Sequence, residues 1–344
     1  MSTILTTDQG LEMLSTGNIL ELGQAANAIR EQMHPGNTVT FVIDRNINYT
    51  NICTSACRFC AFYRPVGHPE GYTLEEDIIY DKLRETIEAG GTQVMLQGGL
   101  NPVLGLDYYV HLLQFIKQHF DIAVHSFSPA EILHIANKEG LSVKETLARL
   151  KAAGLDSLPG GGAEILVDAV RQRVSPNKIS TNDWLAVMEA AHQVGLESTA
   201  TMVIGMGETY AERMEHMEKV RSLQEKTGGF RAFIIWSYQP GNTELGGEKI
   251  SAWDYLKTLS VARLYFNNIK HIQGSWVTQG QNIGQLTLAF GANDLGSIML
   301  EENVVRAAGT SYQMSIDKMV ELIKDAGKKP AQRDTKYNII KTFD

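Results

Sequence analysis

Apolar positions along this chain switch repeatedly between two periods. Leu22, Ala25, Ala26, Ile29 and Met33 recur at helical spacing and predict an N-terminal helix over 19–33, which Pro35 and Gly36 end. Beyond it, short β-rich runs alternate with amphipathic stretches. Strands are predicted at 38–44, 92–97, 122–127, 157–160, 198–205, 232–238, 272–278 and 288–293, with helical patterns such as 78–89 and 184–194 between them. Such alternation over about 250 residues implies parallel pairing through right-handed crossovers. The expectation is an α/β fold, a TIM-like (β/α)8 barrel with its chemistry at the C-terminal strand ends; a doubly wound open sheet yields the same alternation. Ile316, Met319, Val320 and Ile323 predict a C-terminal helix, followed by a charged stretch from Lys328 to Lys336 that is either a tail or a loop folded back. The predicted organisation is a helical segment at 1–37, the barrel at 38–310, and a helix and tail at 311–344.

Composition narrows the function classes. The 344 residues are 43% hydrophobic and 20% charged, ordinary for a globular enzyme able to bury a large core. A net charge of −8 argues against a phosphate-backbone surface, so no nucleic-acid partner is expected. No apolar run approaches the roughly 20 residues that span a bilayer, and the polar start at Met1 is unlike a signal peptide. A cytoplasmic protein with no membrane partner is expected.

The sharpest feature is that all three cysteines, Cys53, Cys57 and Cys60, fall in one short window with the spacing Cys-x3-Cys-x2-Cys. An odd, clustered set points to metal or redox chemistry rather than to disulfides. Three thiolates on one loop suit three corners of a 4Fe-4S cluster, leaving one iron open to S-adenosylmethionine (SAM). The bland alternative is structural zinc, which wants four ligands and would have to recruit His68 or something distant.

The motif resembles that of the radical SAM superfamily, and Cys57-Arg58-Phe59-Cys60-Ala61-Phe62-Tyr63-Arg64 is similar to the loop of its menaquinone- and deazaflavin-biosynthesis branch. Within that branch the cyclic dehypoxanthinyl futalosine synthases fit best, through Gln97-Gly98-Gly99-Leu100-Asn101-Pro102 and the stretches 125–129, 158–164, 275–280 and 291–296. The resemblance implies a cluster and SAM as cofactors, dehypoxanthine futalosine as the small-molecule substrate, and an electron donor such as flavodoxin or ferredoxin. It implies hydrogen abstraction from C4′ of the sugar and addition of the carbon radical to the benzoate ring. The tyrosine-using subunit of FO synthase and aminofutalosine synthase are the rivals within the superfamily. A non-catalytic iron-sulfur or zinc protein is the rival from another class.

The same resemblance assigns candidate SAM contacts. Phe59 would present its backbone to adenine, and Gln97, Gly98 and Gly99 would receive the methionine amino group through backbone carbonyls, since this stretch lacks the superfamily's carboxylate. Glu164 would help fix SAM, Arg173 or Lys178 would meet its carboxylate, Ser126 would face the ribose, and Gly205 would let adenine lie against backbone. His125 and Asp294 are the catalytic candidates, His125 because it titrates near neutrality at a strand end. Tyr63, Trp236, Tyr238 and Trp276 would wall the benzoate ring, and Asn293, with Asp294, would bind sugar hydroxyls. Each has an ordinary structural reading as well: aromatic residues on strands are more often core than site.

Overall fold

Eight parallel staves close into a barrel, with one of them made from two short strands. The computed structural model describes residues 4–343; Met1, Ser2, Thr3 and Asp344, which fall in the predicted terminal segments, lie outside the described residues. Strands β1 (Thr38–Val42) and β2 (Asp44–Ile47) are halves of the first stave, broken at Ile43. β2 pairs with β3 (Gln93–Leu96), and β3 with β4 (Ala123–Val124). A bridge from His125 to Ser157 hands the ladder to β5 (Ser157–Leu158). It continues through β6 (Glu197–Ile204), β7 (Phe230–Ser237), β8 (His271–Gln273) and β9 (Asp294–Ser297), which pairs back onto β1. The long strands β6 and β7 are buried on both faces, as a parallel sheet wrapped by helices requires. The TIM-like barrel is the fold the alternating pattern predicts.

Helices with strong local signals lie between the staves. Those at Pro129–Glu139, Val143–Ala153, Thr181–Gln193 and Tyr210–Thr227 each begin with a capping box. The predicted N-terminal helix spans Ile19–Met33, and a further helix, Thr7–Thr16, precedes it. That helix is opened by a Thr6/Gln9 capping box which the polar composition of this stretch concealed.

Two expectations are corrected. The eighth strand begins at Asp294 rather than at 288; Thr287–Ala289 form a single 3-10 turn instead. The apolar Leu288-Ala289-Phe290 run misled the period reading, because it packs as a turn: Phe290 lies so close to Gly23 that a Cβ there would meet its ring at 2.7 Å. The charged stretch after the last helix (Ile316–Asp325) is neither tail nor loose loop. It forms β10 (Lys329–Arg333), parallel to β1 from Thr38 to Phe41, and then β11 (Ile339–Thr342), antiparallel to β10. Its polar side chains hid a strand that is largely buried, with Arg333 only 5% exposed.

Candidate active site

The cysteine loop leaves the first stave after Ile47 and is pinned from several sides. Cys53 N–H donates to the Arg64 carbonyl at 2.9 Å, and Arg64 N–H donates to Asn51 at 2.8 Å. Thr54 N–H reaches the Leu100 carbonyl at 3.1 Å, Arg58 N–H reaches Val174 at 3.0 Å, and Leu245 N–H reaches Arg58 at 2.7 Å. The three thiols line one cavity together with Phe59, Tyr63, Gln97, Gly98, Gly99, Gly161, Gly162 and Lys178. Burial pushes the Cys57 thiol up to about 12 and raises that of Cys60 as well. As thiolates these ligands therefore call for a nearby positive charge, which cluster iron supplies.

The glycines of this cavity are there for close approach. A Cβ on Gly98 would meet the Tyr49 ring at 2.5 Å, and one on Gly99 would meet the Ile52 carbonyl oxygen at 2.2 Å and the Cys53 Cβ at 2.8 Å. Behind them lies Glu131, a buried carboxylate that sequence reading missed. It accepts from Gly98 N–H at 3.0 Å, from Tyr49 Oη at 2.6 Å, and from the Ser128 backbone N–H and hydroxyl at 2.7 and 2.6 Å. A Glu at the third position of a helix reads as a cap, and here it also fixes the Gly98–Gly99 turn. Lining the same cavity, Lys178 Nζ donates to Glu164 Oε1 at 2.7 Å. Burial works against that ammonium, but Glu164 and Cys57 outweigh it and hold its pKa above the usual value. Glu164 stands at φ +42°, and its Oε2 is buried with no hydrogen-bond partner, 3.5 Å from Arg171 Nη1. Arg171, also missed, donates to the carbonyls of Gly162, Ala163 and Ile179, fixing the glycine-rich segment after β5.

A second cavity occupies the barrel lumen. Its walls include Trp236 and Trp276 toward the upper strand ends, Asp44, Asn46, Gln93, His125 and Arg231 lower down, and Arg333 and Tyr337 contributed by β10 and the turn after it. Asn46 Oδ1 is buried there without a partner. Asp44 accepts from Gln93 Nε2 at 2.6 Å and from the Ser297 hydroxyl, and burial raises its pKa. Burial, reinforced by Arg231 and Arg333, drives the His125 pKa well below the ordinary histidine value, so the imidazole is neutral.

Comparison with known proteins places this architecture. Residues 47–220 match the radical SAM superfamily, and residues 227–343 match the CofH/MqnC C-terminal region. The chain belongs to the radical SAM superfamily. It is 49% identical over 99% of its length to a cyclic dehypoxanthine futalosine synthase of Halalkalibacterium halodurans, covering 92% of that protein. It is 41% identical over 94% of its length to a 5-amino-6-(D-ribitylamino)uracil–L-tyrosine 4-hydroxyphenyl transferase of Archaeoglobus fulgidus, also covering 94% of that chain. Among solved structures, methylornithine synthase (PylB) superposes with a TM-score of 0.74 at 21% identity, covering 96% of this chain and 95% of that one, which supports the fold alone.

A radical SAM cluster suits the residues present. Among the described residues no three His, Cys, Asp or Glu side chains converge on one metal-ion position, and a cube does not ask them to, because each thiolate binds a different iron. His68, the nearest zinc candidate, accepts the Glu70 N–H at 3.1 Å and does not line the cysteine cavity. Among the described residues no helix is long and apolar enough to cross a membrane.

The predicted site residues separate into groups. Phe59, Tyr63, Gln97, Gly98, Gly99 and Lys178 gather around the cysteines, with Lys178 Nζ 5.5 Å from the Phe59 ring centre and Glu164 behind Lys178. His125, Trp236 and Trp276 line the lumen. The remaining candidates are held elsewhere. Ser126 is fully buried, its hydroxyl accepting Leu96 N–H at 2.9 Å. Arg173 is an exposed side chain donating to the Gly207 carbonyl at 3.0 Å. Gly205 (φ +99°) packs against Ile250, and Tyr238 bonds Thr243 and Gly246 within the loop after β7. Asn293 is engaged by Arg263, Ile272 and His271. Asp294 is corrected most clearly: Thr40, Gly296 and both arms of Arg333 take its oxygens, so none is left for a proton or a sugar hydroxyl.

Proposed function

We propose that this protein is a cyclic dehypoxanthine futalosine synthase of the futalosine route to menaquinone, acting in the cytoplasm with an electron donor such as flavodoxin or ferredoxin. The observation that carries the reading is full-length similarity to a relative of that name, together with a three-cysteine cavity and a walled lumen in one barrel. When bound, the cluster supplies the electron that cleaves SAM and yields the hydrogen-abstracting 5′-deoxyadenosyl radical. The chain's own residues do the rest by position. Lys178 presents a cation and the Gly98–Gly99 turn an open backbone toward the SAM methionine end. Glu131 holds that turn, and Trp236 and Trp276 give an aromatic ring apolar walls that exclude water. Ring addition leaves one electron and one proton to be removed; the electron would return to the oxidised cluster, and the proton needs a base. Asp44, whose buried carboxyl has a raised pKa, is the lumen group suited to take the proton.

The similarity to the tyrosine-using transferase keeps one second reading in play, and a single experiment separates the two. Anaerobically reconstituted protein is incubated with SAM and reductant, once with dehypoxanthine futalosine and once with tyrosine plus the ribitylaminouracil. Mass spectrometry is expected to find the cyclised product in the first and no coupled product in the second; the reverse outcome assigns the transferase activity instead.

A further inference from the structure

One half-buried guanidinium in the lumen has no ion-pair partner among the described residues, and the backbone is bent to put it there. Along the β6–β7 ladder Ser198 pairs with Phe230 and Thr199 with Ala232, so Arg231 is an extra residue in its strand. Such a bulge re-aims one side chain. Ile234 and Trp236 already face the lumen by alternation, and the bulge brings Arg231 to the same cavity.

Its surroundings differ from those of the buried arginines. Arg333 is held by Asp294, Arg213 by Glu208 and Asp254, and Arg171 lies beside Glu164. Arg263 is engaged by the carbonyls of Gly291 and Lys270 and by the Asn293 side chain. Arg231 has only the Thr335 hydroxyl at 3.3 Å and His125 Nδ1 at 3.3 Å, its Nε is buried without a partner, and no described carboxylate lies within ion-pair distance. An arginine never accepts a hydrogen bond, so Nδ1 of His125 must be the acceptor, also facing the Ser157 hydroxyl at 2.7 Å. The imidazole proton then sits on Nε2, which has no partner among the described residues. A cation short of a counter-charge thus stands beside a neutral N–H donor in a cavity with aromatic walls.

We propose that Arg231, seconded by His125, binds the carboxylate of an aromatic acid, namely the benzoate end of the substrate. This rests on the cyclase reading for the identity of the acid. The interaction sets which end of the substrate lies deep in the barrel, leaving the sugar toward the cysteine cavity. Arg231 is therefore a binding and orienting residue rather than a catalytic one. A neutral analogue leaves the guanidinium buried and unpaired, which makes the site discriminate between acid and amide.

The test is equilibrium binding to the reconstituted holoenzyme, read by quenching of tryptophan fluorescence, since Trp236 and Trp276 line the cavity. The probes are dehypoxanthine futalosine and its carboxamide, and benzoate with benzamide. Wild type is expected to favour each acid over its amide by about 10- to 100-fold. Arg231→Gln is expected to abolish that ratio while still binding the amides, and Arg231→Lys to retain part of it. Amide binding shows that the variant is folded. An Arg231→Gln protein that keeps the wild-type ratio overturns the proposal, and so does a wild type with no preference for benzoate. Failure of the cyclase reading is distinct: wild type would then prefer benzoate to benzamide without converting dehypoxanthine futalosine.

Discussion

The two cavities are built by opposite strategies. The cysteine cavity draws all but Val304 of its lining from the segment matching the radical SAM superfamily, and its ligands lie on one loop. The lumen draws on strands from β1 through β10 and takes most of its lining from the region matching CofH/MqnC. Chemistry shared by a superfamily is thus local in sequence, whereas the surface that meets the substrate is assembled from side chains distant along the chain. One consequence is that fold and cofactor similarity reach much further than similarity of substrate, as the two differently named relatives illustrate.

If the cavities are separable, damage to one should spare the other. The largest effect is expected from Cys57→Ala, which should abolish cluster assembly and release of 5′-deoxyadenosine, measured by iron content and product analysis, while benzoate binding in the lumen persists. Loss of both together would break the comparison. Next, Arg333→Gln leaves Asp294 buried without its ion-pair partner. It should cost about 3–5 kcal/mol in denaturant unfolding, and replacing both partners with apolar residues should recover much of that. A loss under about 1 kcal/mol would mean that the pair does not brace the lumen.

Gly99→Ala tests the other side. Its Cβ would sit 2.2 Å from a backbone oxygen, so about 1–3 kcal/mol of stability should be lost and SAM cleavage should fall with it. Unchanged cleavage would show that the turn tolerates a shift. The smallest effect is a slope. His216, buried behind the segment that carries Glu164, is depressed by burial to about 3 and accepts Leu166 N–H at 2.9 Å. It is neutral when folded, while its unfolded counterpart protonates below about 6.5. The unfolded chain therefore binds more protons, and stability falls as pH drops from 6.5 toward 3. Comparing wild type with His216→Gln between pH 6 and 4 should flatten the curve by about 1.4 kcal/mol per pH unit, and His125→Gln should do the same on the lumen side. Parallel curves would argue against neutral imidazoles.

The cysteine spacing and the barrel period were readable because each is a short-range pattern: a tight loop, a repeat of two or 3.6. The chain determined from local patterns alone that it would make parallel staves and present three thiols after the first of them. Only the tertiary structure decided that Asp294 is spent on Arg333, that Glu131 braces a glycine turn 33 residues away, and that a polar C-terminal stretch enters the barrel as β10. It also decided that a bulge turns Arg231 inward. These depend on which partner neutralises which buried charge, and burial of a polar group is tolerable only once that partner is in place. Partners so far apart along the chain leave no trace in its periodicity.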